Sequence, residues 1–336
     1  MDKFQNMKKV ELHCHLDGSI RTPLFQTLAQ KEQISVPDDL ESYIRAPKDC
    51  GSLKEYLERF ARVAFCMQKA AYLEAVTEDV LKASEEDNVI YTEIRFAPVF
   101  SLGQGLTMES ATRSVLRAMK NHEEAGGIKS RAILCMMRGI DEEKNREVIE
   151  TFRTIRASKD AESLYLGGID LAGDEASYPL ALYEDLFMEA AKSGIPFTIH
   201  AGECGSVANI LDAAKFGAKR IGHGIAAEQS AACRRVLKEK GIVVEMCPTS
   251  NYQTKALKAG ETYPLAQFLE AGLHPMLNTD NRTVSGTTLT EEYRSVKDMF
   301  ENLTEADYLK MNLMALEGAF LPEDEKALLK KKLQER

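Results

Sequence analysis

Lys9-Val10-Glu11-Leu12 alternates apolar and polar residues, a period of two that predicts a strand in which residues i and i+2 share a face. Past residue 50 the period lengthens. Leu53, Tyr56, Leu57, Phe60 and Ala64 fall on one face of a helix, and residues 72–83 continue in that manner. The stripe reads as packing; the alternative is that some of Leu57, Phe60 and Phe65 close over a ligand as a lid, as long insertions after barrel strands often do. The rhythm then shortens again. Residues 89–96 are β-branched and aromatic, end at Ala97-Pro98, and precede a helical pattern at 108–124. Residues 130–137 predict the next strand and 141–159 its helix. Further strands follow at 166–171, 196–200, 220–223, 241–246 and 274–278, with helices at 179–192 and 207–216 between the first three of them. About eight strands alternating with helices predict an α/β fold, a (β/α)8 TIM barrel with a helical insertion after the first strand. No low-complexity linker interrupts it, so residues 1–336 read as one domain. A doubly wound sheet would carry a glycine-rich nucleotide turn. Gly103 to Gly105 lacks the third glycine and the helix start.

Composition narrows the partners. The chain has 336 residues, 44% hydrophobic and 28% charged, with a net charge of −9, a mixture typical of a folded water-soluble chain. Nucleic acid is disfavoured, because a protein that grips a polyanion shows a basic footprint. A small-molecule partner fits better. Residues 1–10 are charged, and no long uncharged apolar run occurs; this predicts no membrane association and a cytoplasmic protein. Seven scattered cysteines without a Cys-x-x-Cys pair suit reduced thiols. Nothing in the sequence addresses oligomeric state.

Catalytic groups of such barrels sit at the C-terminal ends of the strands. Those ends carry His13, His15 and Asp17, then Gly173 to Glu175, His200 and Glu203, His223, and finally Asp280 and Asn281. Four of the six histidines are among them. His13 and His15 share a strand face, which turns Cys14 away. Three histidines with one aspartate can enclose a divalent metal and leave a position for water, freeing a fourth histidine and Glu203 for proton transfer. A bridged metal pair would need a lysine on the fourth strand. Ile169-Asp170-Leu171-Ala172-Gly173 has none, so one metal is expected.

Together His13-Cys14-His15-Leu16-Asp17-Gly18, Asp170-Leu171-Ala172-Gly173-Asp174-Glu175, His200-Ala201-Gly202-Glu203, Gly222-His223-Gly224, Cys247-Pro248-Thr249-Ser250-Asn251 and Asn278-Thr279-Asp280 resemble the adenosine deaminase family of metal-dependent barrels. The resemblance runs from about Lys9 to beyond Glu292. It implies one zinc per chain held by His13, His15, His200 and Asp280, with His15 also facing the substrate. It further implies Glu203 as proton donor to purine N1, His223 orienting and deprotonating the metal-bound water, a Gly173 backbone contact to N3, and Asp17 on the ribose. The implied reaction is hydrolytic deamination of adenosine and 2′-deoxyadenosine to inosine, deoxyinosine and ammonia, in purine salvage. The other zinc deaminases need H-x-E with P-C-x-x-C, and Cys247-Pro248 lacks that second cysteine. Asn281 departs from the family pattern, which has a second aspartate there to bond N7. An aspartate donates only when protonated, whereas an asparagine amide donates at any pH.

Two alternatives stand beside this reading. One is a deaminase of adenine or another 6-aminopurine nucleoside; adenine-type relatives carry glutamate where this chain has Asp17. The other is a barrel that binds purines without turning them over, which would be expected to have lost a ligand or Glu203.

Overall fold

The computed structural model describes residues 3–47, 50–257 and 260–335. Eight strands run in the order β1 (Lys9–His15), β2 (Val89–Phe96), β3 (Lys129–Met137), β4 (Leu166–Ala172), β5 (Thr198–Ala201), β6 (Arg220–His223), β7 (Val243–Met246) and β8 (His274–Leu277). All pair in parallel with their sequence neighbours, β1 to β4 in one set and β5 to β8 in another. Two further parallel bridges, Ile169 to Phe197 and Cys14 to Asp280, join the sets at both seams and close the ring. The second seam matters most for function, because it ties the end of β1 to the residues after β8.

Helices cover the outside by burying one stripe each. In Met108–Glu124 the buried apolar positions Met108, Ala111, Val115, Leu116 and Met119 follow helical spacing. The helix starts at a reciprocal cap in which Thr107 and Ser110 bond each other's backbone N–H. Full burial of residues such as Val115 and Met119 contributes roughly 1.5–3 kcal/mol each. One expectation needs correction. Leu53 to Ala64 is not one helix but short helices at Leu53–Leu57 and Phe60–Val63 followed by a 3₁₀ turn at Ala64–Met67. The chain tightens where Arg59 N–H donates to the Tyr56 carbonyl and Arg62 N–H to that of Arg59, and this bends the segment over the barrel mouth. Among the described residues no helix is long and apolar enough to cross a membrane.

The barrel interior is charged where such barrels are usually filled by aliphatic layers. β2 alternates, and its Tyr91, Glu93 and Arg95 share one face. Arg220 bonds both Glu93 and Glu245, and all three side chains are fully buried. Below them the Phe320 ring lies 3.9 Å from the Arg220 guanidinium carbon, and Phe320 N–H donates to Glu93 at 2.6 Å. Arg220→Met would leave two carboxylates buried without their shared partner, a loss of about 3–5 kcal/mol. A lower urea midpoint at unchanged slope should report it; an unmoved midpoint would mean that water or Arg95 replaces the missing charge.

Candidate active site

The barrel-closing bonds are also the bonds that build the site. Asp280 N–H donates to the His13 carbonyl (2.9 Å), and His15 N–H donates to the Asp280 carbonyl (2.7 Å). Asn278 Oδ1 accepts from the backbone N–H of Leu12 and His13 at 2.9 and 3.1 Å. The ends of β1 and β8 are thereby locked in one register. Asp280 and His223 both hold left-handed backbone, at φ 61° and 63°, which is strained for residues with a Cβ and tends to occur at functional sites. Gly222 lets β6 pass its neighbours, since a Cβ there would lie 3.0 Å from His13 Cε1.

His13, His200, His223 and Asp280 each offer a ligand atom, all within 4.8 Å of one another. His15 joins them: its Nε2 lies 3.2 Å from His200 Nε2 and 3.4 Å from Asp280 Oδ1. Every sequence-derived metal ligand is therefore in one cluster, and His223 stands in it too. The backs of two imidazoles are held by carboxylates. His13 Nδ1 is 2.8 Å from Glu245 Oε2, and His200 Nδ1 is 2.9 Å from Asp170 Oδ2. Protons on those nitrogens leave the two Nε2 atoms as lone pairs facing the cluster. His13 Nε2 is buried without a hydrogen-bond donor to fill it. Bare nitrogen lone pairs beside a carboxylate oxygen repel unless a cation sits among them, and a nitrogen-rich set with one oxygen fits a divalent metal.

Residues that sequence reasoning did not assign hold this arrangement. Arg95, fully buried, donates to Asp170 at 2.7 Å and to Glu245 at 2.8 Å, so one guanidinium fixes both carboxylates behind the histidines. Burial raises the pKa of each, but His200 and Arg95 keep Asp170, and Arg95 and Arg220 keep Glu245, far below the usual carboxylate range. Ser250 Oγ–H donates to Asp280 Oδ2 at 2.6 Å. Asn251 Nδ2 is 2.9 Å from His223 Nδ1, and Tyr263 O–H donates to Asn251 Oδ1. Glu175 accepts from the N–H groups of Gly202 and Cys204 at 2.6 and 2.8 Å, pinning the loop between them. The i, i+2 spacing of Glu93 and Arg95 was the available signal for an inward charged face.

Glu203 sits on that pinned loop, buried, 3.7 Å from His223 Nε2. Burial pushes its carboxyl well above the ordinary range, and the Asp280 and Glu175 charges add to the effect, which favours its neutral, proton-bearing form. Burial likewise pushes the His223 imidazole well down, keeping it neutral. Both face a cavity of about 350 Å³ that is also lined by His15, Asp17, Gly173 and Asn281. Leu53, Tyr56, Leu57 and Phe60 of the insertion cover it; Phe65 packs elsewhere, against Phe25. Asp17 Oδ1 and Asn281 Oδ1 are buried without partners. Cys14 turns away to Ser19, 3.4 Å from its hydroxyl. An acid pushed toward its neutral form, a neutral imidazole and a set of side chains able to hold a metal, all at one cavity, can activate water against a flat, nitrogen-containing ring.

A family model described as adenosine deaminase matches residues 8–336. The chain is 42% identical to an adenosine deaminase of Enterococcus faecalis over 99% of its own length and 98% of the relative's. It is 38% identical to one of Lactococcus lactis, covering 95% and 91%. Among solved structures it resembles an adenine deaminase of Arthrobacter aurescens, with a TM-score of 0.86, 23% identity and 97% of each chain covered. An N6-mAMP deaminase of Arabidopsis gives a TM-score of 0.86 at 25% identity, with 99% of each chain covered.

Ser250→Ala removes the hydroxyl that orients Asp280 without touching a strand. Metal affinity, measured by competition with a chromophoric chelator, should fall roughly 10–100-fold, as loss of such orienting partners generally does. Equal affinity in variant and parent would show that Asp280 needs no such help.

Proposed function

The chain belongs to the adenosine deaminase family, and on that premise we propose a role for each group at the barrel mouth. The enzyme deaminates adenosine, a hydrolysis at a C–N bond of a cyclic amidine that suits purine salvage. We assign one zinc per chain to His13, His15, His200 and Asp280, and take residues 1–336 as one catalytic domain, working in the cytoplasm. The observation that carries the assignment is the convergence of imidazole nitrogens and one carboxylate beside a buried Glu203 whose carboxyl is pushed toward its neutral form.

Zinc, when bound, supplies a Lewis acid that makes water a usable nucleophile near neutral pH. The chain's own residues do the rest. Glu203 gives its proton to purine N1 as the C6 carbon is attacked, so the charge pushed onto the ring is neutralised. His223 orients the attacking water. Asn251 holds the neutral ring through Nδ1, with Nε2, the nitrogen nearer Glu203, on the site side, where it would take the proton of the attacking water and pass it on toward the departing ammonia. Asp17 Oδ1, buried and unpartnered, is placed for a ribose hydroxyl. Gly173, at φ 101° and lining the cavity, offers backbone to N3, and Asn281 its amide N–H to N7.

A nucleotide substrate is a weaker reading. Arg138 is the one Lys or Arg side chain that lines the cavity among the described residues, and it spends three of its N–H donors on the carbonyls of His200, Leu171 and Tyr178. A guanidinium held on three backbone carbonyls is poorly free to turn toward a phosphate, and no second cation lines the cavity among the described residues. Free adenine and other 6-aminopurine nucleosides remain the competing substrates, and 2′-deoxyadenosine should be accepted beside adenosine.

Metal analysis of purified protein should find about one zinc per chain, and a chelator should abolish turnover until zinc is returned. Full activity in metal-free protein would end the assignment. Glu203→Gln should retain that metal and bind substrate with little change, while kcat falls by at least roughly 10²–10⁴-fold. A variant within about threefold of the parent would remove Glu203 from the chemistry.

A further inference from the structure

Tyr56 is a buried residue of the helical insertion that lies against the barrel mouth. Its side chain is 2% exposed and lines the cavity beside Asn281. Its hydroxyl is 2.7 Å from Ser285 Oγ, with Asn281 and Ser250 as its other polar neighbours. Ser285 ends the short helix Arg282–Ser285 that begins just after Asn281. The same helix is tied to the insertion a second time, where Ala46 N–H donates to the Val284 carbonyl at 2.7 Å. The insertion is thus fastened directly to the segment that carries Asn281.

The orientation of the Asn281 amide is legible from its other side. A Cβ on Gly18 would lie 1.8 Å from Asn281 Oδ1, 2.5 Å from Cγ and 2.8 Å from Cβ. The amide oxygen therefore takes the space that a side chain on Gly18 would fill, which leaves the nitrogen end for the side where Tyr56 and the cavity lie. An asparagine differs here from an aspartate in having two distinguishable ends. An amide turned the wrong way would present an acceptor to an acceptor, so some group must choose the end that faces the ligand. A phenol that donates to Ser285 has its oxygen lone pairs left to receive an amide N–H, and it discriminates against the turned amide. The second N–H of the amide stays free.

We propose that Tyr56 is a specificity-determining positioning residue: its hydroxyl, anchored on Ser285, holds the Asn281 amide with nitrogen toward the cavity, where the free N–H reads an aromatic-nitrogen acceptor such as purine N7. The proposal rests on the reading of Asn281 given above. It makes closure of the insertion and recognition of the five-membered ring one event, because Tyr56 comes from the insertion and Asn281 from the barrel.

The test is kcat/KM for adenosine and for 7-deazaadenosine, which has carbon in place of N7, with the parent, Tyr56→Phe, Asn281→Leu and the double variant. Tyr56→Phe keeps the ring and its packing, and its melting temperature checks the fold. The parent should prefer adenosine, and Asn281→Leu should erase most of that preference. Tyr56→Phe should reduce it by about three- to tenfold, the worth of one hydrogen bond, and should reduce it no further in the Asn281→Leu background. Ser285→Ala, which unfastens the phenol without altering the cavity wall, should act in the same direction. If Asn281→Leu leaves the preference intact, the reading of Asn281 fails and the proposal with it. If Asn281→Leu erases the preference while Tyr56→Phe leaves it whole, or slows both substrates equally, the N7 contact stands and the role of Tyr56 is overturned.

Discussion

Arg95 and Arg220, two fully buried guanidinium groups, set the terms for the rest of this barrel. Between them they bond Glu93, Glu245 and Asp170, and the ladder continues through His13 to Asp280. Within this ladder two cations against four carboxylates leave two negative charges among buried side chains. A divalent cation at the histidine cluster would cancel them. Hydrophobic residues of similar volume could fill such a core at no loss of stability, so stability alone does not explain the ladder. What the ladder does provide is defined proton positions. Each carboxylate kept ionised by Arg95 favours the Nδ1 proton on His13 or His200, and so directs a lone pair inward at the proposed metal position.

That dependence runs from the sheet to the chemistry without a flexible link. Closing β1 on β8 places His13, His15 and Asp280; the pinned loop after β5 places Glu203; the short helix Pro248–Gln253 grips Asp280 and His223 from outside through Ser250 and Asn251. The strained backbone at His223 and Asp280 is affordable because so many bonds over-determine it. The insertion after β1 then supplies an apolar cover. Burial under that cover, in turn, raises the pKa of Glu203 and favours its protonated form.

Much of this was legible before any coordinates. The eight strands were readable because most are short runs rich in apolar residues and several are followed by a helical pattern, and their ends carried His13, His15, His200, His223 and Asp280 in plain view. The supporting layer was not. Glu93, Arg95 and Glu245 are polar residues inside strands, and alternation does not say which face turns inward until the barrel closes. Ser250 and Asn251 were visible within a motif, but their partners lie 28 to 30 residues away. The bend after Tyr56 also escaped, because apolar periodicity continues through it and only the contact with Ser285, 229 residues on, reveals where the ring goes.

The central claim is that the arginine-braced histidines His13 and His200, with His15 and Asp280, hold a single metal while His223 stays free to orient water. Anomalous diffraction at the zinc edge, from crystals grown with the metal, tests it most directly. The account predicts one peak per chain about 2.0–2.2 Å from the Nε2 atoms of His13, His15 and His200 and from an Asp280 oxygen, with His223 outside ligand distance. A peak bonded to His223 in place of His15, or two peaks in the cluster, would contradict it.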